Sequence, residues 1–475
     1  MLTTDLNHLY PELVLTVGAL IVLVAGLFTS EHTTRLKWLT LATQVGNVVL
    51  CLTTSTVTTE AFSGQLSISS ETQVTRLVIA LTGLLITAAT SNIRIQQNRM
   101  EYFLLIIGLQ IGAQITVMAN HAVTILLAIE LMSLSSYALA SYLFHAQSSE
   151  AGMKYFVMGS TATALMAFGF SWIYGSTGEL TWSTISTLLT NSPQVSDIGI
   201  IGFYLVAAGL LFKLSAAPMH FWAPDVFETT PFSVINLFST LPKIAAIILM
   251  GRLVSAELIS SSFWITFVVA ASSLTLILGH LPALWQTNAR RLLGYSSIAQ
   301  GGFLLAGLSI APGQQMVALL FYLISMSIAI TLVVICLDWF EVNYHTSSFS
   351  SFAGLGKVAL WPSMGLTIGL LSLTGLPPLA GFSAKLLLFS SIWSSHPVGH
   401  AGITFLIFLN VFMTVVGLFF YIKIPFQLYL KNNGDKSTTT VLDPYTMLLI
   451  GLLSATLIAL FMYPQAIEFL FLKSN

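Results

Sequence analysis

The chain has 475 residues, of which 55% are hydrophobic and only 7% charged, with a mean hydropathy of +0.86. Soluble domains carry about 25% charged residues, so this composition excludes a string of soluble domains and describes a chain solvated by lipid. The net charge of −1 leaves no basic surface for nucleic acid. The two cysteines, Cys51 and Cys336, fit neither a disulfide framework nor a CxxC metal site, and without a Cys/His cluster no iron–sulfur centre is expected.

Residues 1–12 carry Asp5 and Glu12 and no Lys or Arg, unlike the basic start of a cleaved signal. The first apolar run therefore reads as a retained span. A crossing takes ~20 apolar residues, and about fourteen spans follow on that measure: 9–29, 36–56, 74–92, 101–119, 121–143, 151–175, 200–223, 233–254, 263–284, 291–310, 315–337, 361–394, 401–424 and 445–469. The expected fold is an all-α polytopic membrane protein. Span seven contains Pro218 and span twelve contains Gly375-Leu376-Pro377-Pro378; both are expected to be discontinuous, because proline has no N–H and clashes with the preceding turn.

Basic residues in short loops set orientation. With the N-terminus outside, Arg35, Lys37, Arg94, Arg99, Arg290, Arg291, Lys357, Lys423, Lys431 and Lys436 fall inside, against Arg76, Arg252 and Lys473 outside. Both termini are thus expected on the outer side. Lys154, Lys213, Lys243 and Lys385 remain, within or at the edge of spans.

An ionisable group at mid-membrane costs several kcal/mol and is by default functional. Glu130, Ser133, Tyr137 and Ser141 recur at helical spacing and form one polar stripe. Lys154 stands near a helix end, where a lysine can also snorkel to the interface. Lys213 precedes Pro218 by about one turn and His220 follows, which suggests a hydrated pocket, since the carbonyl of Leu214 freed by Pro218 must find water or a side chain. Asn236, Ser239 and Lys243 form a second stripe beside Pro242, which frees the carbonyl of Phe238. Lys385 lies beyond the Gly375–Pro378 break, as at ion sites in transporters.

Lysine titrates at about 10.4 in water, and burial or a neighbouring carboxylate moves that value in opposite directions. Buried lysines linked by water and hydroxyls therefore make a proton path with adjustable stations. Spans four to eight and nine to thirteen each form a five-helix unit with a proline break and a lysine in the fourth helix. Five is odd, so the second unit is inverted relative to the first. The expected organisation is 1–100 (three N-terminal spans), 101–254 (first repeat), 263–424 (second, inverted repeat) and 425–475 (a loop and the last span).

On these residues the chain resembles the antiporter-like membrane subunits of respiratory complex I, in the subunit N branch of bacterial NADH–quinone oxidoreductase. The carrying segments are IELMSLSSYALASY, AGMKYFVMGS with FGFSWIYGSTGEL, FKLSAAPMHFWAPDVFE, STLPKIAA, QTNARRLLGYSSIAQGGFLLAG and LTGLPPLAGFSAKLLLF, from residue 101 to about 390. The YSSIA and PPLAGF segments are shared with the sister subunits and with Mrp-type antiporters. Lys385 stands where the M-type sister has glutamate, and the long C-terminal extension of the L-type sister has no counterpart here.

The resemblance implies a proton-translocating subunit that couples electron transfer from NADH to quinone in partner subunits to outward pumping. Glu130 and Lys213 would be the coupled pair of the first half-channel, Lys154 its modulator, Lys243 the bridge and Lys385 the terminal station. His220, Ser133, Tyr137, Asn236, Ser239 and Gln300 would support the path; Pro218, Pro242, Pro377 and Pro378 would break helices. Gln300 replaces a frequent family histidine and takes up no proton at neutral pH. Phe227-Glu228-Thr229-Thr230-Pro231 departs from the family loop without touching a lysine. No cofactor or metal is expected in this chain; flavin, iron–sulfur clusters and quinone belong to partners. The implied partners are other membrane subunits, the peripheral redox arm and the lipid bilayer, in a bacterial inner membrane. The alternatives are a subunit of a Mrp-type cation/proton antiporter, a sister subunit, or a related ferredoxin/NAD(P)H–plastoquinone complex.

Overall fold

The structure is a computed structural model and describes residues 2–28, 33–54, 58–90, 99–143, 145–191, 196–254, 261–344, 347–396, 401–431 and 443–467. Arg94, Lys436 and Lys473, counted above toward the two faces, lie outside the described residues.

A short helix, α1 (Leu2–Asn7), leads into three spans, α2 (Tyr10–Phe28), α3 (Thr33–Thr53) and α4 (Ser70–Ala89). The first unit comprises α5 (Arg99–Met118), α6 (Ala122–Ala140), α7 (Ala146–Thr177), a lateral helix α8 (Trp182–Asn191), the interrupted pair α9 (Ser196–Lys213) and α10 (Trp222–Thr229), and α11 (Phe232–Leu253). The second comprises α12 (Ser262–Ala283), α13 (Ala289–Ala306), α14 (Pro312–Tyr344), a single turn α15 (Leu355–Val358), the interrupted pair α16 (Leu360–Thr374) and α17 (Ala380–Ser395), and α18 (Ala401–Tyr421). A short α19 (Lys423–Leu430) and the last span, α20 (Pro444–Met462), follow. Among the described residues, eleven helical stretches are long and apolar enough to cross a membrane; α13 and the two interrupted helices bring the passes to fourteen.

Local sequence explains the element ends. Ser69 and Thr72 cap α4 reciprocally, which satisfies two of the N–H groups a helix start leaves unpaired. α7 stops at Gly178, whose φ of 72° costs a glycine nothing. Asp443 caps α20 and Pro444 opens it, a position where the missing N–H is harmless. Composition did not reveal a two-stranded hairpin, β1 (Thr59–Ala61) and β2 (Leu66–Ile68), paired Thr59 to Ile68 and Ala61 to Leu66.

The two units carry the same local devices. In the first, His121 caps α6 and pairs as an isolated antiparallel bridge with Thr181; in the second, Asn288 caps α13 and pairs in the same way with Ser348. Because each unit has five passes, these two bridges sit at opposite ends of the bundle. One face carries α1, the hairpin and the His121 bridge, and is termed the first face; the second face carries the Asn288 bridge. α11 and α14 are almost wholly buried and form the axis, whereas α2 and α20 keep most of their surface outward.

Both helix interruptions have one geometry. The bonds Ala217–Pro218 and Pro377–Pro378 are cis, and the chain turns through positive φ at Ser215 (55°) and Gly375 (88°). Pro242 differs: it lies inside the continuous helix α11, so the expected break there is corrected to an unbroken span. Arg76, counted above as an outer loop charge, is also relocated. It is fully buried in α4 and paired with Glu12 at 2.6 Å.

Candidate functional site

A helix that runs into proline loses the donor for the carbonyl four residues earlier, and lipid offers no replacement. In the first break that carbonyl belongs to Leu214, since Pro218 has no N–H to reach it. It accepts from Nζ of Lys243, which reaches across from mid-α11 and also donates to the carbonyl of Ser297 at 2.8 Å. Lys243 is completely buried. Gly301 makes this approach possible: a Cβ there would lie 2.5 Å from the Leu214 oxygen. The amide of Ala217 turns to Oγ1 of Thr275 at 3.0 Å. Lys213, the last residue of α9 and 3% exposed, donates to Oγ of Ser133 at 2.6 Å.

In the second break two prolines orphan two carbonyls. That of Leu373, opposite Pro377, accepts from Nε2 of Gln300 at 3.3 Å. That of Thr374, opposite Pro378, accepts from Nζ of Lys385 at 2.8 Å. Lys385 Nζ also stands 4.2 Å from the centre of the Phe303 ring, a favourable seat for a cation. Gln300 further donates to Tyr421 and accepts from Tyr322, and Tyr421 contacts Ser296. A cavity of about 10 Å³ lies among Gln300, Tyr322, Ser325 and Lys385, the space of one water.

The lysines form a row through adjacent groups. Lys213 precedes Leu214, whose carbonyl holds Lys243; Lys243 touches Ser297, one helical turn from Gln300; and Gln300 and Lys385 hold consecutive carbonyls. Oγ of Ser215, Oγ of Ser297 and Nδ1 of His220 are buried without a protein partner. Such groups are ordinarily satisfied by ordered water.

The other expected residues are placed as follows. Glu130 is part-buried and accepts from Oγ1 of Thr163; it forms no ion pair with Lys213 among the described residues. The two are joined through α6, on which Ser133 lies one turn after Glu130. Tyr137 turns its ring toward Lys213, 5.6 Å from Nζ. His220 is buried against Phe221. Asn236 accepts from Thr331 at 3.2 Å, and Ser239 is buried on the same helix face. Lys154 is not in the row. It is half-exposed toward the second face, with Glu150 at 2.9 Å and Asp225 at 3.8 Å.

Sequence reasoning passed over Thr163, Ser297, Tyr322 and Tyr421, whose hydroxyls and carbonyls complete the contacts. Ser297 lay inside a quoted segment; the tyrosines carry no local signal. His280 was also missed. It is buried, bonds the Leu276 carbonyl through Nδ1 at 2.8 Å and stands edge-on to Phe303. Among the described residues no three of His, Cys, Asp and Glu converge as a metal site.

A family model described as NADH:quinone oxidoreductase/Mrp antiporter, TM, matches residues 119–416. NADH-quinone oxidoreductase subunit N of Sphingopyxis alaskensis is 33% identical over 448 residues, covering 92% of this chain and 91% of that protein. NADH-quinone oxidoreductase subunit N 2 of Chloroherpeton thalassium is 33% identical over 401 residues, covering 81% and 75% respectively. Among solved structures, a chain of respiratory complex I from Thermus thermophilus with bound aureothin has a TM-score of 0.79 at 25% identity, over 96% of this chain and 98% of that one.

Proposed function

The chain belongs to the NADH:quinone oxidoreductase/Mrp antiporter transmembrane family, and we propose that, as a membrane subunit of NADH–quinone oxidoreductase, it moves protons along its buried lysine row. The observation that carries this reading is that Lys213, Lys243 and Lys385 are buried at mid-bundle and linked by polar groups, two of them bonded to carbonyls that the helix breaks release.

Each residue then has a task. Thr163 holds the carboxylate of Glu130, and Ser133 holds Lys213 one turn away on the same helix. Approach of Glu130 would keep the proton on Lys213, and separation would release it. Lys243 receives it through water beside Ser215 and Ser297. Gln300 and Tyr322 orient water toward Lys385, the last station. Gln300 bonds without titrating. Lys154, paired with Glu150 and Asp225, adjusts the field from the edge. The redox chemistry resides in partner subunits, whose state would shift these charges.

The arrangement of basic residues supports a bacterial inner-membrane orientation with both termini outside. Arg35, Lys37, Arg290, Arg291, Lys357 and Lys423 share the second face, which the positive-inside rule makes cytoplasmic.

The test uses the assembled complex in proteoliposomes, with NADH oxidation and acidification read together. Lys213→Ala and Lys385→Ala are expected to abolish the share of pumping that depends on this chain. Unchanged protons per NADH, with normal assembly, would overturn the proposal. Because the family model also spans Mrp antiporters, an antiporter subunit is the competing reading. Co-purification of flavin and iron–sulfur absorbance with this chain favours the oxidoreductase, and its absence the antiporter.

A further inference from the structure

The three N-terminal spans take no part in the lysine row, yet they are not an apolar filler. On α3 a polar stripe is buried along its length, beside Leu36 and Leu41: Lys37, Thr40, Gln44, Asn47 and Cys51 are each less than 8% exposed. Their spacing of three and four residues places them on one stripe. Lipid-facing α3 residues such as Val45, Val49 and Leu52 lie on the other side.

Partners across the bundle complete a ladder. Gln44 donates to Oε1 of Gln110 at 2.7 Å, and Gln114 donates to Oδ1 of Asn47 at 3.3 Å and approaches Sγ of Cys51 at 3.9 Å. Gly83 of α4 leaves room for the Gln110 amide, since a Cβ there would lie 2.2 Å from its oxygen. Simple interhelical glue would satisfy its amides. Here Gln44 Oε1, Asn47 Nδ2, Gln110 Nε2 and Gln114 Oε1 are all buried with no protein partner. Each calls for water, and one helical turn, about 5.4 Å, separates successive rungs, a gap that a single water bridges.

The two ends differ. At the second face Lys37, bonded to the Thr90 carbonyl at 2.7 Å, lines a cavity of about 360 Å³ that also contains Asp338 and Asp443. At the first face the ladder meets Arg76, fully buried, with Nε and NH2 on the two carboxylate oxygens of Glu12 at 3.0 and 2.6 Å and NH1 on Gln73 at 2.9 Å. A fixed guanidinium excludes protons and other cations from a water file.

We propose that α3, α4 and α5 enclose a second water-filled polar path, separate from the lysine row, open to the Lys37 cavity and sealed at the first face by the Glu12–Arg76 pair. It is a closed half-channel in the N-terminal unit, and the ion pair is its plug.

The plug is tested by removing both charges together, so that no unpaired ion is left to disrupt folding. The assembled complex carrying Glu12→Ala with Arg76→Ala is reconstituted without substrate, and the decay of an imposed pH gradient is followed. A leak at least several-fold above the parent is expected, and adding Gln44→Leu with Asn47→Leu is expected to return it to the parent rate. No leak, or a leak that Gln44→Leu with Asn47→Leu leaves unchanged, overturns the proposal. A second measurement keeps the plug intact and uses Cys51 as reporter, in a Cys336→Ser background. Silver ion in chloride-free buffer, applied from the Lys37 side, is expected to protect Cys51 from later alkylation in denaturant, and from the opposite side to give no protection. Protection from neither side, or equally from both, also overturns it.

Discussion

Lys243 donates to the carbonyl of Leu214, the acceptor that Pro218 strands in the first helix break. Lys385 does the same for Thr374, stranded by Pro378 in the second. Beyond the proton path proposed for them, these lysines satisfy backbone that lipid would leave unpaired. On the proposed function, proton transfer through either lysine would be coupled to its broken helix: a neutral amine keeps enough N–H groups for these carbonyls but gives up the charge assistance that strengthens each bond.

Lys243→Met is therefore expected to damage structure as well as the proposed transport. The Leu214 and Ser297 carbonyls both lose a donor, and each buried orphan costs about 1–3 kcal/mol. Thermal unfolding of the purified complex is expected to reveal a destabilised chain, along with lost pumping. An unchanged unfolding temperature would mean that water replaces the ammonium at no cost.

Gly301→Ala tests the same contact without altering a charge. Its Cβ would fall 2.5 Å from the Leu214 oxygen and 3.5 Å from Lys243 Nζ, so the backbone must move apart. Pumping is expected to drop several-fold while every titratable group remains. Gly375→Ala is expected to cost about 1–2 kcal/mol, because φ there is 88° and a side chain disfavours that region.

Gln300→Leu should be more disruptive than its neutral side chain suggests. The Leu373 carbonyl and the Tyr322 hydroxyl lose their partner together. A fall of about 1–3 kcal/mol in stability is expected, with slower proton transfer to Lys385. Wild-type rates in an assembled Gln300→Leu complex would remove Gln300 from the path.

Lys154→Ala is expected to be mild. The side chain is half-exposed and its partners Glu150 and Asp225 are also largely open, where solvent and salt weaken an ion pair. Acidification rates should stay within about twofold of the parent, against the near-complete loss expected for Lys213→Ala. Equal losses in the two variants would show that field strength at the edge matters as much as the buried row.

Thr163→Val removes the hydroxyl that orients Glu130 and keeps the shape. Pumping is expected to fall, with Thr163→Ser restoring it. If Thr163→Val pumps normally, Glu130 is positioned by other means.

The membrane class, the number of passes and the two interruptions follow from the sequence alone, because hydrocarbon solvates only long apolar helices and proline removes a donor wherever it stands. Lys213, Lys243 and Lys385 stood out for the same reason: a charge inside an apolar run is rare. Where each charge ends was decided by packing. Pro242 reads as a break, yet α11 continues through it. Arg76 reads as a loop residue by its nearness to a span end, yet Glu12, 64 positions earlier, draws it into the bundle. Lys154, near a helix end, reads as able to snorkel, and it does stay outside the row, half-exposed beside Glu150 and Asp225. The α3 stripe was not singled out from the sequence, since spacing alone does not distinguish a polar seam from surface. A sequence records which groups need partners, and only the tertiary structure determines which distant helix supplies them, since hydrogen bonds and ion pairs depend on a few ångströms that no linear pattern encodes.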